Sequence, residues 1–129
     1  MKVADFTDQL DVETCDELNT VLRRRWVNEA NAFILSFQDR EFPQLLLHVK
    51  GELAFAYYLP GGGHAGFISR GSSGAPIPEE EVSFPISNAG DQIEVMGMSI
   101  IPVSAILAAA KEFLANDGKL PSCVAWQEL

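Results

Sequence analysis

The chain is short of cations. Nine Lys and Arg stand against eighteen Asp and Glu, a formal net charge of −9. Phosphates are neutralised by Lys and Arg, so this balance argues against nucleic acid as a direct ligand. It favours basic protein surfaces as partners and speeds encounter with them. Cysteine and histidine are equally scarce, at two each. Cys15 and Cys123 lie far apart, in segments that read as helix and strand, and supply no disulfide framework. The expectation is two small buried apolar residues in a reducing compartment. His48 and His64 have no nearby Cys pair and form a poor metal set. Neither a metal nor a cofactor is expected. No apolar run approaches the roughly 20 residues that cross a bilayer, and acids stand where the apolar core of a secretion signal would follow Lys2. The expectation is a soluble cytoplasmic protein.

What is present is the composition of an ordinary packed protein, 47% hydrophobic over 129 residues. This is near the commonest domain size, and a single domain over residues 1–129 is expected. Residues 1–10 read as irregular. Val12, Cys15, Leu18, Leu22 and Trp26 recur at spacings of three and four and predict a helix from Asp11 to Trp26. Asp11 is the expected N-cap. Glu13, Asp16 and Glu17 open this helix and Arg23, Arg24 and Arg25 close it, in the order that suits the helix dipole. The arginines therefore read as a helix end rather than a nucleic-acid patch.

From residue 31 the period becomes two. Phe33, Leu35 and Phe37 share one face; Leu45, Leu47 and Val49 follow, then Leu53, Phe55 and Tyr57 after the turn at Lys50 and Gly51. This predicts an antiparallel meander, resumed at Phe67–Arg70. Gly71–Glu79 is a loop by composition. Val82, Phe84 and Ile86 suggest an edge strand, since Pro85 cannot donate a ladder bond, and Gln92–Met96 a further one. Pro102 opens a second helix carrying Val103, Ile106, Leu107, Ala110, Phe113 and Leu114, with Gly118 just past its end. Cys123–Gln127 closes as a short strand. The fold class that results is α+β: a mostly antiparallel five- to six-stranded meander sheet with two helices packed on one face.

Little here can react. Gly61, Gly62, Gly63 and His64 form a glycine run, but no Lys-Ser/Thr follows it to open a phosphate-binding helix. Gly71–Gly74 has the wrong spacing for a nucleophile elbow. The run reads as a hairpin tip. Tyr57 and Tyr58 point to opposite faces of one strand, so one belongs to the core and the other to a contact surface.

The segments Ala32–Leu45, Ala56–Leu59 and Gly66–Gly71, followed by Ile101–Val103, Ala108–Leu114 and Leu120–Glu128, resemble bacterial polymorphic-toxin immunity proteins in order and spacing. Among these the chain is most similar to the immunity protein of the double-stranded-DNA cytidine deaminase toxin. The resemblance implies an α+β inhibitor that binds a cognate toxin domain in the producing cell, without cofactor or catalysis. It assigns no contact residue. The acidic charge fits independently, because a toxin acting on nucleic acid is basic around its active site. The expected partner is such a toxin domain in a 1:1 complex, with no nucleic acid, membrane or small-molecule substrate. The alternatives are an acidic adaptor or chaperone for another basic protein, and a small enzyme built on His64.

The residues expected to meet the partner combine acids with aromatics in three loops: Asp39, Glu41 and Phe42; Tyr58 and His64; and Glu79, Glu80 and Glu81. The first two loops are expected at opposite ends of a strand or two. The helix start at Glu13, Asp16 and Glu17 is the second candidate.

Overall fold

The computed structural model describes residues 1–71 and 77–129; much of the expected Gly71–Glu79 loop falls on residues 72–76, outside the described residues. The elements in chain order are β1 (Lys2–Ala4), β2 (Gln9–Asp11), α1 (Cys15–Leu22), β3 (Ala30–Phe37), β4 (Arg40–Lys50), β5 (Leu53–Leu59), β6 (Phe67–Arg70), β7 (Glu81–Pro85), β8 (Gln92–Met96), β9 (Ile101–Pro102), α2 (Val103–Ala115) and β10 (Ala125–Glu128). Eight strands form one sheet in the order β10-β6-β5-β4-β3-β1-β2, with β9 added to β5, while β7 and β8 pair only with each other. Every pairing among the described residues is antiparallel. The class is α+β, as the strand grouping predicts. The sheet is larger than five or six strands because the segment expected to be irregular, residues 1–10, contributes β1 and most of β2.

The first helix is shorter than its apolar spacing predicts. It begins after Thr14, whose hydroxyl accepts the Glu17 backbone N–H at 3.2 Å, so Thr14 rather than Asp11 is the N-cap. Thr14 and Glu17 also bond through their side chains, a Thr-x-x-Glu pairing at a helix start. The helix stops at Leu22. The Arg25 guanidinium then donates to the Leu22 carbonyl at 2.7 Å, satisfying an acceptor that the helix leaves open. Arg24 turns to Asp8 at 3.1 Å. The arginines thus follow the helix instead of forming its last turn.

Side-chain parity divides the sheet. Phe33, Leu35, Leu45, Leu47, Val49, Ala54, Ala56 and Tyr58 face α1 and α2 and pack on Leu18, Leu22, Ile106, Ala110 and Phe113. Both helices lie on this face. The opposite face carries Phe55, which packs with Phe84, Val95 and Ile100 in a second cluster. The β7–β8 hairpin therefore covers part of the sheet from the side away from the helices. Phe84 meets the Phe55 ring edge-on at 4.9 Å, and the Lys50 ammonium reaches the Ser83 carbonyl. Pro85 ends β7 in this two-stranded ribbon, where no ladder on its far side needs its missing N–H.

The second helix ends as its residues dictate. Asp117 takes a positive φ of 54°, and Gly118, at φ 83°, donates its N–H to the Phe113 carbonyl at 2.9 Å. Glu112 holds the chain beyond: its carboxylate accepts from the Ser122 hydroxyl at 2.6 Å and the Ser122 and Cys123 N–H groups at 2.8 and 3.2 Å. These bonds, led by the Ser122 hydroxyl, push its pKa down to about 2.

Both cysteines depart from expectation. They are free and exposed. Cys15 is the first residue of α1, on its outer side, and Cys123 lies in the turn before β10 rather than in a strand.

Candidate interaction surface

The β3–β4 turn at Gln38 and Asp39 and the β5–β6 connection lie at the same end of the sheet, contrary to expectation. Strand β4 leaves the turn, and β5 returns antiparallel to it, with Gln44 opposite Leu59. The β5–β6 loop therefore comes back to where β4 began. The two loops touch: a Cβ built on Gly62 would meet the Phe42 ring at 3.3 Å, so the ring rests against the glycine run.

His64 is not a free tip. Its Nδ1 accepts the Gly66 N–H at 2.8 Å, its Nε2 lies 2.8 Å from the Glu128 carboxylate, and its ring stacks on Phe67 at 5.1 Å. Because Nδ1 accepts, Nε2 carries the proton and donates it to Glu128. The Leu129 N–H donates to the Gly66 carbonyl at 2.9 Å and fastens the end of β10 to the same loop. A cavity of about 290 Å³ lies elsewhere, lined by Arg70, Ile101, Pro102, Ala105 and Cys123–Ala125, and holds neither His64 nor Glu128.

The adjacent tyrosines divide as alternation requires, but with the roles reversed. Tyr58, expected at the partner surface, is 6% exposed, among Phe67, Phe113 and Trp126. Burial pushes its phenol pKa up. Tyr57 is the half-buried one on the other face, and its hydroxyl donates to the Ala65 carbonyl in the glycine loop. The register could have shown this, since Tyr58 pairs with Leu45, already a core position by period.

Asp39 and Glu41 are exposed at this end, and Asp117 joins them from the end of α2. Arg40 is held between Asp39 at 3.6 Å and Asp117 at 2.7 Å. Asp39, Glu41, Phe42 and His64 thus share one end of the sheet, where an acidic rim surrounds a half-buried aromatic ring. Glu79, Glu80 and Glu81 do not join them. They are exposed at the start of β7, and their segment is tied through Pro78 and Met98 to Gly71, beyond the far end of β6. The acids at Glu13, Asp16 and Glu17 lie on α1, on the helix side.

Among the described residues, no helix is long and apolar enough to cross a membrane. This end of the sheet sets exposed carboxylates around a half-buried aromatic ring, the mixture that protein interfaces use.

Two comparisons agree with this character. Residues 7–128 match the family model described as Immunity protein Imm1. The whole chain aligns with the whole of a protein from Burkholderia cenocepacia (strain H111) described as a double-stranded DNA deaminase immunity protein, at 30% identity over 129 residues. The chain belongs to the Imm1 family of immunity proteins, non-enzymatic inhibitors that neutralise toxins.

Proposed function

We propose that this chain neutralises a cytidine deaminase toxin that acts on nucleic acid, by binding its basic substrate surface 1:1 in the cytoplasm of the cell that makes both. The observation that carries this reading is the end-to-end match to the relative described as a double-stranded DNA deaminase immunity protein. The charge supports it. A deaminase that holds a nucleic acid backbone needs a cationic face around its pocket. A protein of net charge −9 competes for that face with the phosphates. Asp39, Glu41, Phe42 and His64 form the near part of the contact, and Glu79, Glu80 and Glu81 reach the toxin from the hairpin side. The acids steer the encounter, and the apolar residues among them hold the complex once formed.

The test is co-expression with a candidate deaminase toxin domain from the source organism. Cells carrying both should survive and show no rise in C-to-T mutations, and a mixture of this chain with an inactive form of the domain should run as a 1:1 complex. Killing of cells that contain the soluble, folded chain overturns the reading.

A further inference from the structure

The open face of the sheet carries an apolar row that is covered only at its β6 end, where Ile68 packs against the Phe55, Phe84, Val95 and Ile100 cluster. The register aligns Ile34 with Leu46, Leu46 with Tyr57, and Tyr57 with Ile68 across β3, β4, β5 and β6. Directly paired residues on neighbouring strands point to the same face, about 5 Å apart. The row is thus a straight stripe across four strands. On one side of it His48 and Phe55 are covered by the hairpin, with Phe84 on Phe55. On the other side the face runs through Gln44 to Phe42. Ile34 is 42% exposed although it lies mid-strand, and Leu46 and Tyr57 are half-buried.

We propose that Ile34, Leu46 and Tyr57 form the apolar anchor on which the basic face of the deaminase toxin docks. This rests on the function proposed above and names the surface that performs it. Tyr57 makes the stripe continuous with the loops at the end of the sheet, because it packs against Gly66 and bonds to Ala65. The charge around the stripe is of the required sign. Asp39 and Glu41 lie at its loop end, and Asp11 stands on the same face at the β2 edge, with Lys2 as its cross-strand neighbour. The remaining cations are engaged or elsewhere. Arg40 is ion-paired, and Lys50 is under the hairpin. Arg70 is bonded to Gln127 at the β10 edge, and Arg23–Arg25, Lys111 and Lys119 follow or belong to the helices. An apolar stripe with an acidic border fits a partner surface that is cationic around an apolar pocket mouth.

Ile34→Lys sets a cation in the stripe against the basic partner. Thr20→Lys makes the same charge change on α1 and serves as the control. Both are titrated by calorimetry with a catalytically inactive form of the deaminase domain that the parent chain neutralises, and thermal unfolding is recorded for each. The expected result is at least tenfold weaker binding for Ile34→Lys and parental binding for Thr20→Lys. Ile34→Thr, which keeps a β-branched side chain, should weaken binding without unfolding the strand. Parental affinity in both Ile34 variants overturns the proposal. So does a self-dimer of the free chain that Ile34→Lys dissolves while toxin binding is unchanged. If the parent chain itself neither binds nor protects, it is the proposed function that fails.

Discussion

Tyr58 donates its hydroxyl proton to the carbonyl of Gly118, sixty residues away, at 2.7 Å, and so ties the middle of the sheet to the end of α2. The bond is buried, so removing its donor leaves an acceptor dry. Tyr58→Phe should cost about 1–2 kcal/mol of folding stability. Gly118→Ala should cost more. A Cβ there would lie 2.7 Å from both the Phe37 ring and Pro43, at a φ of 83°. Strain and displacement together give about 2–4 kcal/mol. Urea unfolding of the two variants checks both the values and their order; an unchanged midpoint for Gly118→Ala would contradict the packing described.

His48 gives the protein a stability that falls with acid. Its ring stacks on Phe55 at 4.4 Å, and its buried Nδ1 finds no hydrogen-bond partner among the described residues. Burial pushes its pKa down from 6.5 to about 4. Between those values the unfolded chain binds a proton that the folded chain refuses, so stability is full above pH 6.5 and declines as pH drops toward 4. The decline amounts to about 3 kcal/mol. Glu112 and Asp5 are held below the usual carboxylate range, so their losses come mainly at lower pH. For Asp5, burial acts upward, but hydrogen bonds from Thr7, Asp8, Asn31 and Trp26 outweigh it. His48→Phe keeps a stacking ring and should flatten the stability profile across this window. An equally steep profile in the variant assigns the dependence to other groups.

Much of this was legible before any coordinates, for reasons that can be located. Strands β3 and β4 declare themselves because Phe33, Leu35, Leu45, Leu47 and Val49 recur at every second position, and β5 because Leu53, Phe55 and Tyr57 do the same after the Lys50–Gly51 turn. The three-residue strands β1 and β2 carry too few apolar residues for any period, and they exist because β3 offers them an edge. The apolar spacing from Val12 to Trp26 imitates a longer helix, while the Thr-x-x-Glu pair at Thr14 and Glu17 marks its true start. The proposed contact surface is half legible. Turn residues and acids marked the loops as exposed, but only the pairing of β4 with β5 brings Phe42 beside Gly62. The stripe through Ile34 is invisible in a chain read one strand at a time. A strand with both faces apolar looks wholly buried until the extent of the β7–β8 cover is known.

Association with the toxin should be strongly salt-dependent. A net charge of −9 meeting a cationic face accelerates encounter through long-range attraction, which is screened beyond about 10 Å at 0.1 M salt. Stopped-flow rates should show association slowing about tenfold or more as salt rises from near 0.05 to near 0.5 M, with dissociation changing little. An association rate indifferent to salt removes steering from the mechanism.

The triple change of Glu79, Glu80 and Glu81 to Lys separates steering from anchoring. The three acids are exposed, so their replacement should leave thermal stability nearly unchanged. Glu81 itself is already held against a like charge: its hydrogen bond and repulsion with Glu94 raise its pKa, and a lysine there would face that carboxylate favourably. Binding should nevertheless suffer. Three charges are reversed on the hairpin that borders the proposed anchor, so the loss should fall mainly on the association rate, by about tenfold at low salt. Ile34→Lys, by contrast, should act mainly on dissociation, because it damages the contact itself. The two variants are distinguished by measuring both rate constants in one salt series. If the triple variant associates as fast as the parent, the hairpin acids lie outside the field that guides the toxin, and Glu13, Asp16 and Glu17 on α1 become the next acids to reverse.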